Sequence, residues 1–571
     1  MSDLSPDVSP DVSAGLSPGP SADPATGRKS ALSGGEAVVR ALAAHGVTDA
    51  FGIPGTHNLE IYRHLATYGV RHVTTRHEQG AGYAADGYAR AAARPGVAIT
   101  TTGPALLNVA AAVGQAYSDS VPLLVVSPGM PLRHPRQSTG LLHEMRSQTE
   151  ALRGVAAFSH RVGSVDEIGA AVARAFTLFR SGRPRPAHLE IPLDLLEAVE
   201  PAGPVRLAPP AEPIVADRAS VRAAAAALAT ARRPALVVGG GARAAAAECR
   251  ALAALLGAPV VTTANGKGVV DERHPLSLGV SLHSPAVQKW LADRDVVLAV
   301  GTELAESDVW GPLPVLAGTL IRVDVDPAQM YAGLPADLPL TGDATAVLGA
   351  LLAACRALSR DAATLGAAGR DDEADVGALV TALRTTRDDE TQSRDARWKP
   401  YLKAMRRVLA EDAIITSDSA QCCYYGALPH LPLGPEGRYL HPTGFGTLGY
   451  ALPAAIGALT AFPGRQVVAL SGDGGLQFSV QELATATACG RPLPVVVFDN
   501  GGYGEIREEM TARGDAPVAV DLPAVDLPAL ARAYGGGGSV VRSPEEFASA
   551  LAAALTTPGP TIVTVPEEPS R

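Results

Sequence analysis

Residues 466–475 read QVVALSGDGG and residues 493–502 read LPVVVFDNGG, and these two stretches decide the fold. Each opens with an apolar, β-branched run of the kind buried in a parallel sheet, and each ends in a polar residue followed by glycine. Between them, residues 478–489 read as a helix, so the unit is βαβ, with Ser479 and Glu482 as a capping box at the helix start. Asp473 and Asn500 are 27 residues apart in sequence, yet the unit sets them at neighbouring strand ends. A carboxylate and an amide oxygen are hard donors that suit Mg²⁺, which takes few protein ligands and completes its shell with phosphate oxygens. Gly474 and Gly475 let backbone N–H groups approach a diphosphate, and the helix start adds favourable polarity.

The same alternation runs through most of the 571 residues. Strands are expected at 72–75, 97–101, 123–127 and 187–191 within a first domain, 31–200. A Pro-rich passage, 201–213, leads to a central domain, 214–355, with strands at 235–238, 296–300 and 320–325. A charged, alanine-rich linker over 356–397 precedes a third domain, 398–571. The fold class is α/β, three domains, each a largely parallel sheet flanked by helices, the first and third architecturally alike. Residues 1–30 repeat Ser-Pro-Asp-Val, lack an apolar core and read as a disordered tail. Gly239-Gly240-Gly241 follows a strand, but no acid stands about 20 residues on, so tight packing is the favoured reading over a nucleotide turn.

Composition narrows the function. With 47% hydrophobic and 19% charged residues the chain can build large cores. A net charge of −10 without a basic block argues against a nucleic-acid partner. Apolar runs are interrupted before membrane-spanning length, so no membrane partner is expected. Five scattered cysteines suit a reducing, cytoplasmic setting, and Cys422-Cys423 reads as buried thiols.

Glu78, in Arg76-His77-Glu78-Gln79-Gly80, taken alone is a glutamate complementing a helix start. Its company changes the reading: Gly52-Ile53-Pro54-Gly55, Ala85-Asp86-Gly87-Tyr88-Ala89-Arg90, Thr102-Gly103-Pro104 with Asn108, Asp119-Ser120-Val121-Pro122, and Thr443 to Gly449. With the Asp473–Asn500 spacing, residues 34 to 560 closely resemble the acetolactate synthase-like thiamine diphosphate (ThDP) enzymes. The resemblance implies pyrimidine-binding, central Rossmann-like and diphosphate-binding domains, with ThDP and Mg²⁺ as cofactors. FAD in the central domain stays open. It implies Asp473, Asn500 and the Gly502 carbonyl as metal ligands, and Gly474, Gly475 and Asn108 among the cofactor-binding residues. Glu78 would hydrogen-bond the pyrimidine and favour its imino form. The Gly446 carbonyl would accept from the 4′-amino group, and Leu448 would impose the bent cofactor shape. The site would lie between the subunits of a homodimer, alone or paired into a homotetramer.

Such enzymes attack a 2-oxo acid with the cofactor ylide, release CO₂ and leave an enamine. Protonation then gives an aldehyde, addition to a carbonyl a hydroxyketone, oxidation an acid. Leu142-His143-Glu144, Gly301 to Asp308 and Gly502 to Arg507 resemble the bacterial 5-guanidino-2-oxopentanoate decarboxylases. The expected reaction is therefore 5-guanidino-2-oxopentanoate to 4-guanidinobutanal and CO₂. Acetolactate synthesis from pyruvate is the alternative, with a flavin-dependent pyruvate oxidase and a non-catalytic relative behind it. Glu505 is a candidate for a charge-assisted fork with the substrate guanidinium, against pairing with Arg507 or facing solvent. His143 is a candidate proton donor, against a structural histidine.

Overall fold

The computed structural model describes residues 31–135, 138–205, 207–208, 212–361 and 376–567. The expected tail, 1–30, and residues 362–375 of the expected linker lie outside them. Three six-stranded sheets form, every pairing in them parallel. Counted in chain order within each sheet, the first (Asp49 to Pro192) and third (Ile414 to Pro566) share the strand order 2-1-3-4-6-5. The central sheet (Pro234 to Thr341) runs 3-2-1-4-5-6. In such doubly wound sheets the connections part at one point, and ligands bind there, beyond the carboxyl ends of the strands. A two-stranded ribbon, Ala31–Ser33 with Val199–Pro201, ties the ends of the first domain.

The expected strands form within a few residues of their expected limits. Those of the deciding unit are Val467–Gly472 and Pro492–Asp499, paired directly and buried over most of their length. The helix between them departs from expectation. Asp473–Gln477 is helical straight off the strand, a 3₁₀ turn covers Val480–Glu482, and the remaining helix is Leu483–Cys489. The expected capping box is absent. The buried Glu482 carboxylate turns to the first domain instead, accepting from Arg76 N (3.1 Å), His77 N (3.0 Å) and the Thr485 hydroxyl (2.6 Å). Two backbone donors and a hydroxyl satisfy a buried carboxylate better than one local amide, so the tertiary contact wins.

The contact between the first and third domains rests on small residues. Helix Glu78–Ala92 lies along helix Ala451–Ala461. A methyl added at Gly87 would sit 2.2 Å from Ala454 O, and one at Gly457 would sit 1.9 Å from Ala84 O. Only glycine permits this approach, and it fixes where the helix beginning at Glu78 points. Asp86 and Arg90 follow on the same helix. Arg90 reaches His441 O and Asn265 Oδ1 (both 2.8 Å), while Tyr450 donates to Asp86 (2.5 Å). All three domains meet in this network. In the central domain Gly239 N and Gly241 N are taken by Val300 O and Gly301 O at 2.9 and 3.0 Å. The glycine triplet thus packs against the neighbouring strand end, as favoured from sequence.

Candidate active site

At the switch point of the third sheet, strand Ile414–Ser417 runs out into Asp418 and strand Val467–Gly472 into Asp473. Asp473 is buried, and its Oδ1 accepts from Asn500 N at 3.2 Å. Burial, then the charge of Asp499, pushes its carboxyl up to about 6. Asn500 Oδ1 is buried with no hydrogen-bond partner. A methyl at Gly474 would sit 3.4 Å from Gly502 O, so that carbonyl borders the same turn. Gly502 itself has φ +148° and lies so close to Val520 O that only glycine fits. One carboxylate short of charge compensation, one orphaned amide oxygen and one carbonyl form a donor set that fits a hard divalent cation. Among the described residues no group of three or more His, Cys, Asp or Glu forms a competing metal site.

The loop Thr443–Gly449 is pinned at both ends by buried carboxylates. Asp119 accepts from Thr443 N and Gly444 N, each at 3.0 Å. Asp418 accepts from Gly449 N with both oxygens at 3.0 Å. Burial pushes Asp418 up to about 6 despite these donors. Thr447 bonds to Tyr83 OH in the middle. Gly446, at φ +62°, stands exposed between the two anchors, and Leu448 is half-buried beside it.

The first domain carries a second set of groups. Glu78 begins its helix with a half-buried side chain, and Oε2 accepts from Asn108 Nδ2 at 2.9 Å. At the switch point of this sheet, the segment after strand Asp49–Gly52 carries His57, and the segment after Gly96–Ile99 carries Thr102. Thr102 Oγ1 lies 2.7 Å from His57 Nδ1 and 3.1 Å from His143 Nδ1. A buried hydroxyl thus bridges two partly exposed imidazoles, and burial followed by the charge of His143 lowers the His57 pKa. His143 has φ +61°, a conformation non-glycine residues rarely hold without a compensating reason.

The structure brings Asp473, Asn500 and Gly502 together, and separately Glu78 with Asn108. Among the described residues no hydrogen bond joins Glu78 to the Asp473 group. Glu505 lies next to the first group. Oε2 accepts from Gln421 Nε2 (2.9 Å) and Tyr424 OH (3.0 Å), and Oε1 accepts from Tyr425 OH (2.8 Å). Arg507 pairs instead with Asp521 at 2.7 Å, so the local pairing considered for Glu505 does not form. Sequence reasoning missed Asp418, Gln421, His57 and the tyrosine pair, and it read Glu482 only as a helix cap. Asp418 had a readable signal, an aspartate closing an apolar strand-like run.

Residues 32–151, 221–351 and 421–565 match, in turn, the N-terminal TPP binding, central and C-terminal TPP binding domains of the thiamine pyrophosphate enzymes. A probable 2-ketoarginine decarboxylase, AruI, of Pseudomonas aeruginosa is 40% identical over 525 residues, covering 90% of each chain. The acetolactate synthase large subunit of Parasynechococcus marenigrum is 34% identical, over 94% of this chain and 87% of its own. The isozyme 3 large subunit of Escherichia coli acetolactate synthase is 31% identical over 92% of each. With all three domain models matched in order and relatives aligned along nine-tenths of its length, this chain belongs to the thiamine diphosphate-dependent enzymes.

Proposed function

We propose that this enzyme decarboxylates a cationic 2-oxo acid, 5-guanidino-2-oxopentanoate, to 4-guanidinobutanal and CO₂. The observation that carries the choice of substrate is Glu505. Its carboxylate is held by three neutral donors, and among the described residues no basic side chain lies within ion-pair distance. A guanidinium supplies the missing charge with matching geometry. The similarity to the probable 2-ketoarginine decarboxylase supports the same reading.

Asp473, Asn500 Oδ1 and Gly502 O would hold Mg²⁺, with Gly474 and Gly475 facing the diphosphate. When bound, ThDP supplies the carbon nucleophile and the electron sink for decarboxylation. Gly446 and Leu448 would support the cofactor from the pinned loop. Glu78, steadied by Asn108, would hold a proton at the pyrimidine nitrogen. Among the described residues no hydrogen bond joins Glu78 to Asp473, and each site would combine groups of two subunits in a homodimer or homotetramer. His143, with Thr102 and His57 behind it, would deliver the proton that completes the aldehyde. The acetolactate synthase relatives favour a second reading, condensation of pyruvate.

The test is to incubate purified protein with ThDP and Mg²⁺ against a panel of 2-oxo acids and identify the products by mass. 4-Guanidinobutanal supports the proposal. Acetolactate from pyruvate, with no aldehyde from the guanidino acid, overturns it. A visible absorbance spectrum of the same sample reports whether the central domain carries FAD.

A further inference from the structure

Tyr424 and Tyr425 are consecutive, yet both hydroxyls reach the one carboxylate of Glu505. They sit in Cys422–Ala427, a π-helical stretch, a rare wide turn that is frequent at functional sites. The Tyr425 ring meets Trp310 of the central domain edge-on at 4.7 Å, and Tyr424 meets Tyr425 at 4.5 Å. Trp310 is unusual on two counts. It has φ +53°, a strained conformation for a bulky residue, and it remains 39% exposed. Behind it His283 stacks at 4.4 Å, and burial holds that imidazole down to about 3, so it presents no positive charge at neutral pH. Arg394 already shows what these rings accept: its guanidinium lies 3.6 Å from the Tyr425 ring centroid and 5.9 Å from that of Trp310. Its charge is met by Asp395 at 2.6 Å, and among the described residues Glu505 is left without a cation.

The cluster adjoins the cofactor groups. A methyl at Gly504 would sit 2.4 Å from Asn500 Nδ2 and 3.0 Å from Gln421 Oε1. Gln421 donates in turn to Glu505, so the anionic end of the cluster and the Asn500 amide both border Gly504. A carboxylate beside electron-rich ring faces suits a planar, weakly hydrated cation better than a neutral or anionic group.

We propose that Glu505, Tyr424 and Tyr425 together with Trp310 form the box that reads the charged end of the substrate, so that the central domain supplies part of the specificity site. This rests on the decarboxylase reading above and deepens it. Trp310 gives the guanidinium a face to stack on, the two tyrosines fix the carboxylate, and the carboxylate takes the charge.

The experiment compares 5-guanidino-2-oxopentanoate with 5-ureido-2-oxopentanoate, a neutral analogue of nearly the same shape, on the ThDP- and Mg²⁺-loaded enzyme. Glu505→Gln is expected to raise KM for the guanidino acid by about tenfold or more and to change that for the ureido acid by less than about threefold. Tyr425→Phe and Trp310→Leu should shift the same ratio in the same direction, by several-fold. Competition by unreactive 4-guanidinobutanoate, read as Ki, should weaken in parallel. Tyr425→Phe removes a single hydroxyl and keeps the test decisive if Trp310→Leu does not fold. Equal effects on the two substrates, or no effect, overturn the box. Failure of the wild type to release aldehyde from the guanidino acid overturns the decarboxylase reading instead.

Discussion

Glu482→Ala removes the buried carboxylate that accepts from Arg76 N and His77 N at 3.0–3.2 Å and from the Thr485 hydroxyl at 2.6 Å. Thr485 keeps a 3.5 Å contact to Thr74 O, but the two amides lose the acceptor they have. Two such amides at about 1–3 kcal/mol each come to about 2–6 kcal/mol. Burial has raised the Glu482 pKa, and alanine relieves that cost of keeping a charge inside, so the net loss should be about 2–4 kcal/mol. Glu482→Gln keeps an acceptor oxygen and should stay within about 1 kcal/mol of wild type at neutral pH. The pH dependence has a definite sign. A carboxyl whose folded-state pKa is raised binds its proton more tightly when folded. Wild type therefore has its greatest advantage over Glu482→Gln below the ordinary value of 4.5 and loses it as pH rises through the folded-state pKa. Urea unfolding followed by circular dichroism from pH 4 to 8 reads both quantities in its first transition. Because Arg76 and His77 directly precede Glu78, turnover of Glu482→Ala should also fall. A Glu482→Ala protein equal to wild type in urea midpoint and in kcat would refute the reasoning.

Gly80→Ala should damage the same contact from the other side, since its methyl would meet Glu482 Oε1 at 2.3 Å; about 1–3 kcal/mol of overpacking is expected in the same urea assay. Asp473→Ala or Asn500→Ala should weaken Mg²⁺-dependent ThDP binding by about a hundredfold or more while circular dichroism stays unchanged, measured by equilibrium binding of the cofactor. His57→Asn should lower kcat by about ten- to a hundredfold. It should also abolish an acid limb of the rate profile lying below 6.5, because wild-type His57, with its lowered pKa, takes up a proton only there.

The parts of this molecule legible from sequence are those whose signal is local. Val467–Leu470 and Val495–Phe498 announce strands because a sheet covered on both faces demands consecutive apolar residues. Asp473 and Asn500 were legible because one βαβ unit sets their separation. Glu482 was misread for the opposite reason. Its partners lie 405 and 406 residues away, and a local capping pattern cannot reveal a distant acceptor. Tyr424 and Tyr425 were missed because the carboxylate both hydroxyls reach lies 81 and 80 residues further along the chain. Trp310 joins them only when the central domain docks, which no window along the chain contains.

The common winding of the first and third sheets gives the protein two crevices of one architecture, differently furnished. The later crevice is furnished with oxygens: a carboxylate, an orphaned amide oxygen and a carbonyl. The earlier is furnished with two imidazoles bridged by a hydroxyl. Neither furnishing is required by the scaffold beneath it, so each can be refitted by substitution while the other keeps its occupation. An engineer seeking a new product outcome would start from the imidazole pair of the earlier crevice and leave Glu78, Asp473 and Asn500 in place.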